Sequence, residues 1–416
     1  MILSFRSMPC VPAARSRGLS GIHSRSGIVH GVGLAFATVA ALLIVSCSGR
    51  GRYVAFTGYA QGGTYSVKIN TSGARVPRED IATAIDSILT LVDTTLSGYN
   101  KASQLSRFNA GETIVPNRLF SDIYSFSRDI WSETGGCVDV AAGPLFDIWG
   151  FGFSTDSLPS GDKVLETLAA CGMSRLRPAI APGVPADSRS LVSSSESFLT
   201  SSPSSGPALD RLSSLSPSGS TLDRLSSLSS PESTLNSPLG SAPALLNFNA
   251  VAQGYTCDLV ADYLRSIGVS DMLVDIGEIY CAGLNPAGRD WTIGVDRPVD
   301  GNETPGADLD GIWLSGGRSC GIVTSGNYRK FYVRDGRKYA HTIDPRTGYP
   351  VEHSLLSATI VASTAAAADA YATYCMVIGF DEARAFIESR PDLEGYLIRD
   401  ADGTMLEWAS PGFTLR

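Results

Sequence analysis

Two oxygen-bearing side chains lie four residues apart in the carboxyl-terminal part of the chain. Asp369 and Thr373 fall within residues 364–378, a run whose composition and boundaries predict a helix. Residues four apart on a helix lie on one face, one turn from each other. A carboxylate and a hydroxyl are hard oxygen ligands of the kind that Mg²⁺ takes, and Mg²⁺ completes its shell with substrate phosphates. A helix cap or a solvated helix face explains the same pair, so the pair alone does not establish a metal site.

Two further segments contain groups that could act on a phosphate. Residues 247–258 (NFNAVAQGYTCD) predict a tight turn ahead of a helix, and free amides at a helix N-terminus bind phosphate. His341 is one of two histidines outside the amino-terminal region, the other being His353. An imidazole can remove the proton of a hydroxyl that attacks phosphorus. A turn that binds nothing and an ordinary strand histidine remain the alternatives.

A third polar segment follows a predicted strand. Residues 324–328 (TSGNY) combine two hydroxyls, a side-chain amide and a glycine. Loops of this kind, placed directly after a strand, commonly hold polar ligands. A plain turn explains the segment equally well.

The charge balance argues against a nucleic-acid partner. The formal net charge is −8, and residues 1–46 contain four of the 33 basic residues and none of the 41 acidic ones. Without that segment 29 basic residues face 41 acidic ones, a net charge of −12. Affinity for a phosphate backbone depends on clustered Lys and Arg, and residues 47–416 contain no basic run.

The amino-terminal segment predicts export. Residues 31–45 form an uncharged run that suits the apolar region of a signal peptide and is short for a membrane span. The run ends in Ile44-Val45-Ser46-Cys47, which resembles a bacterial lipobox with Cys47 as the lipidated residue. We therefore expect a signal peptide over 1–46 and a lipoprotein anchored in a membrane and facing the periplasm. An ordinary signal peptide with a nearby cysteine is the alternative.

The cysteines give no sign of a zinc or thioredoxin-like site. Six lie beyond Cys47 and none belongs to a C-x-x-C pair. Buried free thiols, or one incidental disulfide, are the expected states.

The remaining periodicities predict an α+β fold. Helices are expected over 81–96, 121–134, 252–267 and 364–378, the last with Ser363 or Thr364 as N-cap and Gly379 beyond its end. Strands are expected over 58–69 behind a Gly-Gly turn, 272–284, 291–295 and 320–324, and a hairpin over 328–343 around Asp335-Gly336. Residues 137–153 predict a structured loop under a site.

Residues 179–244 differ in composition from the rest of the chain. They are rich in Ser, Pro and Leu and contain the octapeptide LDRLSSLS twice, at 209–216 and 222–229. Two copies of so short a unit cannot build a solenoid. We expect a disordered, low-complexity insertion within one catalytic domain spanning 47–416, with a short docking helix as the alternative.

Taken together, these segments resemble the ApbE family of FAD:protein FMN transferases. The resemblance extends over nearly all of the chain beyond the signal segment except 179–244. Its matching blocks are Gly62–Tyr65, Leu96–Asn109, Gly135–Gly152, Asn247–Asp258, Thr324–Tyr328, His341–Pro350 and Asp369–Gly379.

The resemblance implies an ApbE-like, T-fold-related architecture and a role for each of several residues. Mg²⁺ would be bound by the backbone oxygen of Ala250, the carboxylate of Asp369 and the hydroxyl of Thr373, and His341 would assist catalysis. The FAD site would comprise Gly62, Tyr99, Cys137, Val138, Asp139, Asn247, Gln253 and Thr342. The family commonly has Asp at position 247 and Lys or Glu at position 253, so this chain departs from the pattern at both.

The activity that the resemblance implies is Mg²⁺-dependent transfer of the FMN half of FAD to a threonine or serine of an acceptor protein, with release of AMP. Two other functions fit the same residues. An FAD pyrophosphatase would use water as the nucleophile and release FMN and AMP. A flavin-binding lipoprotein without turnover would bind FAD and do neither.

Overall fold

An eight-stranded sheet forms the centre of the fold. The computed structural model describes residues 53–151, 158–176, 245–300, 302, 304–328, 331–334 and 337–416. The sheet strands are β1 (Tyr53–Ala60), β2 (Gly63–Asn70), β3 (Met272–Asp275), β4 (Ile279–Ala282), β7 (Cys320–Gly326), β10 (Leu355–Ala362), β11 (Glu394–Ala401) and β12 (Thr404–Ala409). They lie side by side in that order, and every neighbouring pair is antiparallel.

Two hairpins stand apart from the sheet. They are formed by β5 (Thr292–Asp296) with β6 (Leu309–Leu314) and by β8 (Phe331–Arg334) with β9 (Arg337–Ala340). The first hairpin lies in the chain between β4 and β7, and the second leads directly into His341. Each hairpin is therefore inserted between two strands of the central sheet and forms a separate two-stranded sheet.

Eight α-helices complete the described residues. The helices are α1 (Arg78–Leu96), α2 (Gln104–Asn109), α3 (Arg118–Glu133), α4 (Gly143–Ile148), α5 (Gly161–Ala170), α6 (Ala252–Ser266), α7 (Ala365–Ile378) and α8 (Phe380–Glu388). Among the residues described, no helix is long and apolar enough to cross a membrane. Helices α6 and α7 pack on each other, and α7 also packs on β7 and β10.

Glycines allow α7 to approach both of its neighbours closely. A Cβ at Gly254 of α6 would lie 2.3 Å from the carbonyl oxygen of Ala365, and one at Gly321 of β7 would lie 2.3 Å from the Cα of Ala365. No side chain fits at those distances, so the start of α7 contacts backbone on both sides. This approach brings Asp369, one turn into α7, beside the start of α6.

The two faces of the sheet bury different cores. Because side chains alternate along a strand, Val323 and Ile360 pack under the helices while Ile322 and Val361 pack on the other face. That other face is covered by the β5–β6 hairpin, chiefly through Trp313. The helix-covered face is the one that carries the candidate site.

The α+β fold class predicted from the sequence is confirmed, as are the four predicted helices, with ends that differ by at most three residues. The predicted strand over 272–284 is two strands, because Gly277 adopts a φ of +93° and turns the chain between β3 and β4. The loop predicted over 137–153 contains the short helix α4, with Pro144 in its first turn. The predicted strand over 58–69 is a hairpin of two strands.

Several predictions fall outside the described residues. They are the signal peptide over 1–46, Cys47 as lipidation site, the whole 179–244 insertion and the Asp335-Gly336 turn. The strands β8 and β9 on either side of that turn are present, so the hairpin itself is confirmed.

Candidate active site

The starts of α6 and α7 form the α6–α7 junction, which we define as Ala250, Gly254, Asp258, Asp369 and the first residues of α7. Oδ2 of Asp369 accepts a hydrogen bond of 3.1 Å from the backbone amide of Gly254. In a continuous helix that amide would donate to the carbonyl of Ala250, four residues earlier. Within the described part of the chain, the Ala250 carbonyl has no hydrogen-bond donor. Gly254 is the third residue of α6, and Asp369 supplies an acceptor for its first-turn amide, while the Ala250 carbonyl stays free.

The junction is reciprocal, because a carboxylate of α6 also binds the start of α7. Asp258 accepts hydrogen bonds from the amides of Ala365 (2.9 Å) and Ala366 (2.8 Å). Thr364, the N-cap, accepts a third from Ala367. Each helix thus satisfies backbone amides of the other, which sets both their separation and their rotation.

Burial makes both carboxylates unusual acids. It raises the pKa of Asp369 to about 7, an effect opposed by the Gly254 amide and increased by the charge of Asp258. Burial also raises the pKa of Asp258 to about 7, against the two amides that it accepts from. A nearby cation would favour the charged form of either group.

The oxygens at the junction fit a small divalent cation. Asp369 is 5% exposed, Thr373 is half-buried one turn further along α7, and the half-buried Ala250 supplies its free carbonyl. One carboxylate, one hydroxyl and one carbonyl are the donors that Mg²⁺ takes when substrate phosphates supply the rest. No group of three or more His, Cys, Asp or Glu that could hold a metal occurs in the residues described.

The turn of the β1–β2 hairpin contacts the first turns of α6. Its two turn residues, Gln61 and Gly62, have φ of 51° and 83°, as in a type I′ turn. The side chain of Gln61 donates a 2.8 Å hydrogen bond to Oγ1 of Thr256. Gln253 lies against Gly277, where a Cβ would be 2.5 Å from Nε2 of Gln253. The predicted site residues Gly62 and Gln253 therefore both belong to the surroundings of this helix start.

A cavity of 290 Å³ lies between the α1–α2 loop and the segment that precedes α6. Gly98 and Lys101 line one side, and Asn247 lines the other. Tyr99, next to Gly98, is 80% exposed. The structure thus places Asn247 around the same cavity as Gly98 and Lys101, which lie on either side of Tyr99 in the sequence.

The position of Asn247 is set by its own backbone and side chain. Its amide donates to the carbonyl of Val140 at 2.7 Å, and its Oδ1 accepts from the amide of Asn249 at 2.9 Å. Immediately before it, Leu246 exchanges two hydrogen bonds with the side-chain amide of Asn109. The turn before α6 is therefore held at both ends.

The His341 segment, residues 341–350, follows β9. The half-buried ring of His341 meets Phe151 edge-on, with centroids 6.4 Å apart. Oγ1 of Thr342 donates a 2.6 Å hydrogen bond to Oδ1 of Asn327, which lies just beyond the end of β7. Two segments predicted separately from the sequence, 324–328 and 341–350, are thus joined.

A stack of aromatic rings supports this segment. We call it the aromatic column, formed by Phe151, Tyr332, Tyr339 and Trp149 with successive centroid separations of 5.1, 5.2 and 5.9 Å. Nε1 of Trp149 donates a 2.8 Å hydrogen bond to the carbonyl of Gly348. The column and this bond connect the β8–β9 hairpin and the His341 segment to α4.

Cys137 and Val138 are buried and Asp139 is half-buried, and the three side chains have different surroundings. Burial raises the pKa of the Cys137 thiol, and the nearby charge of Arg346 opposes that shift. Val138 is 3% exposed. Asp139 accepts hydrogen bonds from the amides of Ala141 and Met173. Cys137 therefore lies beside the His341 segment, while the carboxylate of Asp139 is engaged by the backbone.

His353 has a structural environment, in contrast to His341. Its Nε2–H donates a 2.9 Å hydrogen bond to the carbonyl of Met376, and burial lowers its pKa. Its ring packs against Gly379, where a Cβ would lie 3.1 Å away. Of the two histidines in the described residues, His341 is the better candidate for proton transfer.

Sequence reasoning missed two residues that build the site. Asp258 and Asn109 each hold backbone groups about 100 or more positions away in the chain. Both lie inside blocks that were recognised, but their partners are long-range, and no local pattern indicates them.

Comparison with known proteins agrees with this geometry. The profile of the ApbE family matches residues 61–397. The FAD:protein FMN transferase of Escherichia coli (strain K12) is 29% identical over 343 residues, which cover 81% of this chain and 80% of that relative. The one from Haemophilus influenzae is 26% identical over 385 residues, with 91% and 95% covered.

Solved structures lead to the same family. The flavin transferase ApbE from Vibrio cholerae matches with a TM-score of 0.63 and 26% identity, covering 87% of this chain and 98% of that one. The apo flavinyl transferase ApbE of Pseudomonas stutzeri matches with a TM-score of 0.64 and 25% identity, covering 87% and 96%. The family profile spans well over half of the sequence, and the chain therefore belongs to the ApbE family.

Proposed function

We propose that this chain is a Mg²⁺-dependent FAD:protein FMN transferase that moves the FMN moiety of FAD to a threonine or serine hydroxyl of an acceptor protein and releases AMP. The observation that carries the proposal is the α6–α7 junction, where the Gly254 amide binds Asp369 and the Ala250 carbonyl stays free. The names of the relatives support the same activity.

Ala250, Asp369 and Thr373 would hold the cation, whose bound charge would stabilise negative charge on the diphosphate. The fit is supported by the buried Asp369 carboxylate, because a cation offsets the cost of ionising it in that environment. These residues also fix where the diphosphate can lie. The protein's main contribution is positioning and electrostatics, as in other phosphoryl-type transfers.

His341 is proposed to accept the proton of the acceptor hydroxyl. The hydroxyl oxygen forms a bond to the FMN-side phosphorus, the bond from that phosphorus to the bridging oxygen breaks, and AMP leaves with that oxygen. Thr342 and Asn327 would orient the segment that carries His341 through their 2.6 Å hydrogen bond. FAD binding by Gly62, Tyr99, Cys137, Val138, Asp139, Asn247 and Gln253 belongs to the same proposal.

One incubation tests the activity. The protein is mixed with FAD, Mg²⁺ and an acceptor domain, and the acceptor is examined by in-gel flavin fluorescence while AMP is measured by chromatography. We expect a fluorescent acceptor, AMP in equal amount to bound FMN, and loss of both with EDTA. The matched control is an acceptor whose target threonine is replaced by valine, which should stay unlabelled.

Two other outcomes would replace the proposal. Free FMN and AMP in the absence of acceptor would identify an FAD pyrophosphatase. Tight FAD binding with neither AMP release nor labelling would identify a flavin-binding protein without turnover.

We also propose that the chain is exported as a lipoprotein, with Cys47 lipidated and the catalytic domain facing the periplasm. The support is the uncharged run ending in Ile44-Val45-Ser46-Cys47. Cys47→Ala should move the protein from the membrane fraction to the soluble fraction, or leave it unprocessed. Unchanged membrane association of a processed variant would remove the lipid anchor from the proposal.

A further inference from the structure

Two buried cysteines face each other across the central strands. Cys281 on β4 and Cys320 on β7 are direct cross-strand partners, and their sulfur atoms are 3.9 Å apart. Directly opposed residues of antiparallel strands have Cα atoms about 4.5–5.5 Å apart, inside the range of about 4.4–6.8 Å that disulfides span. Rotation of the two side chains can therefore bring the sulfurs to bonding distance without moving the strands.

The environment of the pair favours a thiolate on Cys320. A hydrogen bond from the Cys281 thiol and the positive charge of Arg318 lower the pKa of Cys320, against its burial. Arg318 is held there by a two-point ion pair with Glu394. A thiolate is the form that attacks a disulfide, so Cys320 is the better nucleophile of the two.

The other cysteines of the described ranges lack both features. No other pair of them is joined by a sulfur–sulfur contact. Burial raises the pKa of Cys171 to about 11 and that of Cys375 still further, which disfavours their thiolates. Burial also raises the pKa of the Cys257 thiol, which donates a hydrogen bond to the carbonyl of Glu278.

We propose that Cys281 and Cys320 form a disulfide bond on exposure to a disulfide-bearing oxidant, such as oxidised glutathione or a thiol–disulfide oxidoreductase. The Cys320 thiolate attacks one sulfur of the oxidant and forms a mixed disulfide, releasing a thiolate. Cys281 then loses its proton and attacks the Cys320 sulfur, which releases the second thiolate. Two protein thiols are oxidised, the oxidant's disulfide is reduced to two thiols, and those thiols take up the two protons.

The bond would join β4 to β7, the strands that precede and follow the β5–β6 hairpin in the sequence. The two cysteines are 39 residues apart in sequence, and they lie in the core that this hairpin covers. Closing a loop of that length restricts the unfolded chain and so stabilises the folded one. Cys320 begins β7, whereas Asn327 follows its other end, roughly 20 Å away at the rise of a strand. The bond would therefore change stability at a distance from Asn327 and the His341 segment.

Peptide mapping of the wild-type chain tests the proposal directly. The purified protein is equilibrated with oxidised glutathione, unfolded in N-ethylmaleimide and digested without reduction. We expect a peptide that joins residues 281 and 320, while Cys137, Cys171, Cys257 and Cys375 carry the alkyl group. Alkylation of both Cys281 and Cys320 after this treatment, or a link from either to another cysteine, would overturn the proposal.

Thermal unfolding gives an independent measure. Adding dithiothreitol to the oxidised wild type should lower Tm by about 3–6 °C, and the Cys281→Ser/Cys320→Ser variant should not respond to the reductant. The matched control Cys257→Ser, which removes a buried thiol outside the pair, should keep the full response. An equal response in the double variant would contradict the assignment, and the wild-type peptide map decides alone if a variant does not fold.

Discussion

The α6–α7 junction and the His341 segment are both parts of the candidate site, yet they are held in different ways. In the junction, backbone amides of each helix bind a carboxylate of the other, at 2.8–3.1 Å. The His341 segment has a backbone bridge of its own between Ile343 and Pro350, and it is tied to other parts of the chain by ring contacts and by single hydrogen bonds of Thr342 and Trp149. Side-chain packing of this kind leaves more freedom than paired backbone contacts.

The difference matches the tasks proposed for the two regions. The junction would bind a cation and a diphosphate, whose geometry is the same in every turnover. The His341 segment would meet the hydroxyl of an acceptor protein, which must enter and leave as part of a large partner. A site of this design is rigid where charge is stabilised and adaptable where a macromolecule docks.

Asp369→Asn is the strongest test of the junction. The amide oxygen of asparagine can still accept from Gly254, so we expect a folded protein, but the negative charge proposed to bind the cation is lost. Transfer of FMN should fall by about 10³-fold or more, since a bound cation contributes several kcal/mol to charge stabilisation. The rate of acceptor labelling over a Mg²⁺ titration measures the effect, and a wild-type rate would exclude the metal assignment.

His341→Gln tests the proton transfer in the second region. General-base catalysis contributes about 10²- to 10⁴-fold, and we expect kcat for transfer to fall by about 10³-fold. FAD binding, followed by flavin fluorescence, should change little, because the proposed role concerns the acceptor hydroxyl.

The other histidine supplies the matched control for this variant. His353→Gln retains a side-chain amide that can donate to the Met376 carbonyl, so its transfer rate should stay within about twofold of wild type. Equal losses in the two variants would show that His341 has no special role.

The sequence could predict the main helices and the chemistry of single residues because both are local. Asp369 and Thr373 lie one helical turn apart, and that spacing can be read directly. The family resemblance added Ala250. The hydrogen bond between the Gly254 amide and Asp369 could not be predicted, because the two residues are 115 positions apart.

The strands were harder to predict than the helices. Strands β6, β10, β11 and β12 were missed, and the stretch 272–284 was taken as one strand. Most of β10 is buried on both faces, so its apolar run lacks the alternation that indicates a strand. The pairings β2–β3, β4–β7 and β7–β10 join strands that are far apart in the sequence, so the eight-strand order could not be derived from local patterns.

Gly254→Ala tests whether the rigidity of the junction matters for catalysis. The new Cβ would lie 2.3 Å from the carbonyl oxygen of Ala365, so α6 and α7 must move apart. A displacement of about 1 Å can cost about 10²-fold in rate, and overpacking costs about 1–3 kcal/mol of stability. Labelling kinetics and Tm check both effects. Gly63→Ala is the control, because a Cβ there meets nothing within 4 Å.

Trp149→Phe makes the corresponding change beside the His341 segment, and we expect the smallest effect there. Phenylalanine keeps an aromatic ring in the aromatic column, but it removes the hydrogen bond to the Gly348 carbonyl and part of the buried indole ring. A net loss of about 1 kcal/mol corresponds to about fivefold. We expect this fivefold change as a rise in KM for the acceptor, because binding of the partner would order an adaptable segment. A loss in kcat as large as that of Gly254→Ala would show that both regions are equally rigid.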